Sequence, residues 1–90
     1  MKKYYFTFGS GEWFPFQNTY LIVMADSKEE AIQMFRDQHP DKHENVINCS
    51  DYYTEEEWEK DCKKYYPGPP EQIICRNIIA AGTWEVARGV

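Results

Sequence analysis

The chain has 90 residues, a formal net charge of −5 and a sequence pI of about 4.9, which excludes a broad basic footprint for nucleic acid. Its aromatic content of 17% and hydrophobic content of 42% support one small domain over residues 1–90. No apolar run approaches the ~20 residues of a membrane-spanning helix.

The N-terminus, MKKYYFTF, lacks a small-residue cleavage site and reads as a strand and not as a signal peptide. Cys49, Cys62 and Cys75 form no C-x-x-C pair, and their odd number fits reduced thiols in a cytoplasmic protein.

Lys3 to Phe8 alternates, with Tyr4, Phe6 and Phe8 on one side and Tyr5 and Thr7 on the other. Aromatics on both sides predict a central strand. Gly9-Ser10-Gly11 breaks it, and Glu12 to Asn18 follows as a loop rich in aromatics. Trp13, Phe14 and Phe16 either fold back over the core edge or contact a ligand. Thr19 to Ala25 is an apolar run of strand length that pairs antiparallel with the first strand. Ser27 with Glu30 forms a capping box for a helix from Lys28 to Gln38, which Pro40 ends. Its stripe is Ala31, Ile32 and Phe35, with Met34 at the border.

After the polar connector His39 to Asn45, Val46 to Tyr53 reads as a third strand. Thr54 to Pro67 reads as one amphipathic helix. Thr54 caps it with Glu57, acids crowd its first turn, and lysines follow toward its end. Trp58, Cys62 and Tyr65, at i, i+4 and i+7, form its buried stripe. Pro67-Gly68-Pro69-Pro70 is a stiff turn. Gln72 to Ile79 is a fourth strand, Ala80-Ala81-Gly82 a break, and Thr83 to Arg88 a short edge strand. The order β-β-α-β-α-β predicts an α+β fold: a mostly antiparallel four- to five-stranded sheet with two helices on one face.

Chemical signatures are sparse. His39 and His43 are separated by Pro40, which prevents a helical ligand pair, so no metal or other cofactor is expected. The cysteines fall on strands or on the helix stripe and read as small core hydrophobes. Gly9-Ser10-Gly11 is neither a Walker loop nor a nucleophile elbow. The chain therefore reads as non-enzymatic, with a small thiol or metal enzyme, through Cys62 or the His39/His43 loop, as the outlying alternative.

Two binding surfaces stand out. Residues 51–61 hold six acids against Lys60, a local charge of −5 equal to that of the whole chain. Of these, Asp51, Glu55, Glu56, Glu59 and Asp61 are the candidate contacts for a basic partner protein. A solvated acidic face is the plainer reading of the same residues. The second surface is the turn Gly9, Ser10 and Gly11 with Trp13, Phe14 and Phe16, which would stack and cradle a nucleotide signal.

The opening K-Y-Y-F-T-F-G-S, the hairpin, and the helix S-K-E-E-A-I-Q-M-F-R-D-Q-H-P-D resemble small uncharacterised phage and prophage proteins with an N-terminal F-T-F-G strand. The resemblance covers residues 3 to 41. It implies a mobile-element setting, in which small acidic proteins often inhibit bacterial defence. The expected partner is then a basic defence protein such as a nuclease or CRISPR effector, bound without direct contact to nucleic acid or membrane.

A sheet with both helices on one face leaves its other face bare. Tyr5, Thr7, Leu21, Val23, Ile73 and Cys75, or their alternates, would line it and favour a homodimer. A C-terminal segment folded back over the face is the monomeric alternative.

Overall fold

The computed structural model describes residues 1–76 and 84–88. Five strands form one mixed sheet: β1 (Lys2–Thr7), β2 (Tyr20–Ala25), β3 (Asp51–Thr54), β4 (Gln72–Arg76) and β5 (Trp84–Arg88). Their order is β3-β1-β2-β4-β5. All neighbours are antiparallel except β2 and β4. The fold is α+β, as its element order predicts. The last residues of the expected fourth strand, the break at 80–82, and residues 83, 89 and 90 lie outside the described residues. Among the described residues, no helix is long and apolar enough to cross a membrane.

The aromatic alternation of β1 places it inside the sheet, between β3 and β2. Register assigns the faces: Tyr4 lies opposite Val23 and Phe6 opposite Leu21, while Tyr5 lies opposite Ile22 and Thr7 opposite Tyr20. Tyr4, Phe6, Leu21, Val23, Ala25 and Ile74 therefore share the first face. They pack there with Ala31, Met34 and Phe35 of helix α1 (Lys28–Gln38). Met34, expected at the border of the helix stripe, is fully buried. Ser27 Oγ accepts the Glu30 N–H at 3.1 Å, and the Glu30 carboxylate reaches back to the Asp26 N–H at 3.0 Å.

The helices do not share a face. Trp58 packs on Tyr5 and Tyr20, on the side of the sheet opposite α1. Because β2 and β3 are both antiparallel to β1, they run parallel to each other, and β4 runs with them. The chain crosses from β2 to β3 in one direction along the sheet and from β3 to β4 in the other. Parallel crossovers favour one hand, so reversing the direction of travel reverses the face. The expectation of an uncovered second face fails over β1 and β2 for the same reason, while Ile73 and Cys75 on β4 are half-buried. Leu21 and Val23 turn toward α1, and Tyr5, Tyr20 and Ile22 lie against the Trp58 segment.

Two other expectations shift. The third strand starts at Asp51 and not at Val46. Asn45 has φ +62°, His43 and Val46 form an isolated bridge, and Val46 is exposed, so the chain turns where a strand was expected. The single helix from Thr54 becomes an α-helical turn, α2 (Glu55–Glu57), a π-helix at Trp58–Cys62 and a 3₁₀ turn at Lys63–Tyr65. The wider π turn delays the stripe by one residue. Tyr66, eight residues after Trp58, packs in the cluster, while Tyr65 is 69% exposed.

Candidate functional site

The acidic stretch is held by its cap and by its one buried aromatic. Thr54 Oγ1 accepts the Glu57 N–H at 3.2 Å, and Glu57 Oε1 accepts the Thr54 N–H at 2.8 Å. The Thr54 N–H, together with the Thr54 hydroxyl that donates to the same oxygen at 3.1 Å, holds the Glu57 carboxyl below the usual carboxylate range. Trp58 stacks on Tyr5 with centroids 4.4 Å apart and planes 5° apart, and on Tyr66 at 5.2 Å. With Trp58 turned to the sheet, Glu55, Glu56, Glu59 and Asp61 are exposed, as is Asp51 at the start of β3.

Glu55, Glu56 and Glu59 converge on a groove of about 500 Å³, completed by Lys2, Lys3, Tyr4 and Thr54. Asp51 and Asp61 do not line it. The groove carries both signs of charge: three carboxylates face two lysines from the start of β1. Glu59 is also paired with Lys63 at 3.2 Å, an exposed i,i+4 contact worth only a few tenths of a kcal/mol. Burial pushes the Tyr5 phenol above its ordinary value, and the charges of Glu55 and Glu59 push it the same way. The carboxylates therefore reach electrically into the aromatic cluster beneath them.

The aromatic loop is divided between core and surface. Phe16 packs edge-on against Phe8 with centroids 5.3 Å apart, and Phe14 is half-buried against the same core. Trp13 is 67% exposed. Gly9, at φ +62°, closes the loop by accepting the Asn18 N–H at 2.7 Å. The Trp13 ring lies over Gly11, where an added Cβ would come within 2.9 Å of it. Ser10 offers its carbonyl to the Gln17 amide at 3.2 Å. Trp13 and Phe14 line a second groove of about 260 Å³ with Lys42, His43, Val46, Ile47 and Asn48. Gly9, Ser10, Gly11 and Phe16 do not line it, and they act as the frame of the loop.

Cys49, Cys62 and His39, outside these two grooves, pack in the core clusters or at their edge. Burial pushes the Cys49 thiol up to about 12. Burial also raises Cys62, despite an opposing hydrogen bond with Tyr53. Both stay protonated at neutral pH, the form that is a poor nucleophile. His39 shares a hydrogen bond with Gln72 Oε1 at 2.8 Å and packs between Phe16 and Phe35, whereas His43 lines the Trp13 groove. Among the described residues, no group of three or more His, Cys, Asp or Glu side chains could hold a metal ion.

Neither a protein-family model, nor a curated protein, nor a solved structure matches this chain.

Sequence reasoning missed Lys42 and His43 because it placed them in a plain connector. They stand about 30 positions from Trp13, beyond the reach of any local pattern. The available signal was Lys42 beside His43 in HPDKHEN.

Proposed function

We propose that this chain is a non-enzymatic binding protein that docks on a basic surface of another protein through Glu55, Glu56 and Glu59. The observation that carries this reading is their convergence on the 500 Å³ groove, on a segment fixed by a closed capping box and a stacked Trp58. A segment whose backbone is already fixed loses less freedom on binding, which favours recognition over a merely solvated face. A groove of about 500 Å³ has room for an arginine or lysine side chain from the partner. Lys2 and Lys3 on the opposite wall would select a partner whose basic residues flank an acidic or polar one. Asp51 and Asp61 lie outside the groove and would steer the approach at long range.

The resemblance to phage F-T-F-G proteins supports a bacterial defence nuclease, such as a CRISPR effector, as the partner class. A raised thiol pKa at Cys49 and Cys62 supports the absence of covalent catalysis. The homodimer loses the support of a bare sheet face and keeps that of the exposed aromatics Trp13 and Tyr65. Light scattering that returned 10.7 kDa at micromolar concentration would exclude the homodimer.

The test is cleavage inhibition. The wild-type chain should inhibit DNA cleavage by a defence nuclease, and less so as salt rises. The Glu55→Lys/Glu56→Lys/Glu59→Lys variant should lose about tenfold or more of its apparent affinity, as loss of a charge-paired contact does. Equal inhibition by a variant with an unchanged circular-dichroism spectrum would remove the acidic groove from the function. A wild-type chain inert toward a panel of such nucleases would remove the partner class.

A further inference from the structure

The groove under Trp13 combines features that the acidic site does not explain. Among the described residues, four large hydrophobics stand out as exposed: Met1, Trp13, Val46 and Tyr65. Two of them, Trp13 at 67% and Val46 at 56%, border this one groove. An apolar rim around a concave site is the usual form of a ligand pocket. The charge of the lining is the second feature. The chain is acidic overall, yet the lining holds no carboxylate and has two basic side chains, Lys42 and His43. Lys42 Nζ donates to the Trp13 carbonyl. An ammonium has three N–H bonds, so this contact ties the cation to the Trp13 backbone and leaves two donors for a ligand. Asn48, buried at the base of the groove, donates its amide to the Pro40 carbonyl at 3.3 Å. That bond leaves its side-chain oxygen as an acceptor.

The geometry points to a binding site for a small planar anion of the mononucleotide class. The base stacks on the exposed face of Trp13 and against Val46, and the phosphate rests between Lys42 and His43. Base–aromatic stacking supplies sequence-tolerant affinity, and the Lys42 ammonium with the His43 ring orients the phosphate. A groove of about 260 Å³ holds one ring system with its anionic substituent and not a dinucleotide. The site is independent of Glu55, Glu56 and Glu59, which line the other groove.

Titration calorimetry of the full chain with AMP, UMP, adenosine, inorganic phosphate and a four-nucleotide single strand tests the assignment. AMP and UMP should bind saturably with a Kd below about 1 mM. Adenosine and phosphate alone should each bind at least about tenfold more weakly, because each lacks half of the recognition. Trp13→Leu and Lys42→Met should each weaken AMP about tenfold or more, Lys42→Arg should restore it, and the triple Glu→Lys variant should bind as wild type. Four results would overturn the proposal: no saturation of AMP or UMP, equal binding of adenosine, equal binding of phosphate, or tighter binding of the four-nucleotide strand. Unchanged AMP binding by both Trp13→Leu and Lys42→Met would also overturn it, since both are exposed positions whose variants are expected to fold.

Discussion

Phe6 stacks on Phe35 with centroids 4.6 Å apart on the first face of the sheet, and the preceding residue, Tyr5, stacks on Trp58 at 4.4 Å on the second. The two contacts have nearly the same geometry and different surroundings. The first face is closed by a regular eleven-residue helix over mostly Phe, Leu, Val and Ile side chains, with Tyr4 and Tyr52 beside them. The second is closed by a short, unevenly wound segment over Tyr5, Tyr20 and Tyr53. Their hydroxyls need partners, and Tyr20 finds one in the Gly68 carbonyl at 2.8 Å. The first face therefore carries most of the apolar stabilisation. The second trades part of it for polar tips and a charged exterior, which is where the acidic groove opens.

Deleting one ring from each face separates the two most strongly. Phe35→Ala leaves a cavity in a fully enclosed core and should cost about 3–5 kcal/mol. Trp58→Ala removes a larger side chain from a face that solvent can re-enter, and should cost less, about 3 kcal/mol, at the low end of that range. Urea denaturation of both variants measures the difference. A Trp58→Ala loss equal to or larger than that of Phe35→Ala would show that the second face is packed as tightly as the first.

Alkaline pH sharpens the contrast. Burial raises the phenols of Tyr5, Tyr20 and Tyr53 above 10.0 on the second face. A raised pKa means that folding favours the protonated form. The stabilisation is then complete below the unfolded value and is lost as pH rises through the folded one. Stability should therefore decline above about pH 10, with Cys49 on the first face adding a loss between its ordinary 9.0 and about 12. A Tyr5→Phe/Tyr20→Phe variant should show a shallower decline in denaturation midpoint. An unchanged slope would place the alkaline sensitivity elsewhere.

The smallest effect is at the cap. Thr54→Ala removes the hydroxyl that accepts the Glu57 N–H, keeps the backbone bond to the Glu57 carboxylate, and should cost about 1 kcal/mol, read as a shift in urea midpoint without a change in slope. No shift would mean that Trp58 alone holds the segment.

Local chemistry was legible in the sequence, and long-range geometry was not. Ser27 and Thr54 marked both helix starts because a cap and its partner lie within four residues. The two-faced aromatic pattern of β1 marked it as an inner strand. The opposite placement of the helices depended on strand order, which no local pattern encodes. Tyr66 replaced Tyr65 in the buried stripe because a π turn has no reliable sequence mark. Of the candidate contacts, Glu55, Glu56 and Glu59 could be grouped in advance because one helical turn sets their spacing. Trp13 and Lys42 could not, since 29 positions of chain separate them.

The reversal of direction between the two crossovers has a consequence for access. β2 ends at Ala25 and β3 at Thr54 on the same edge of the sheet, with the start of β1 between them. From Ala25 the chain departs over one face, and from Thr54 over the other, so the two connections part like the halves of a collar. The opening between them is where Lys2, Lys3 and Glu55 meet. Open sheets with parallel strands hold ligands in such crevices, because that is where the departing chains leave strand ends uncovered. The mouth of the acidic groove is thus a product of topology, and side-chain changes that retune its charge leave it open. A fusion placed ahead of Met1, whose amino group lies 3.9 Å from Asp26, would begin at that mouth.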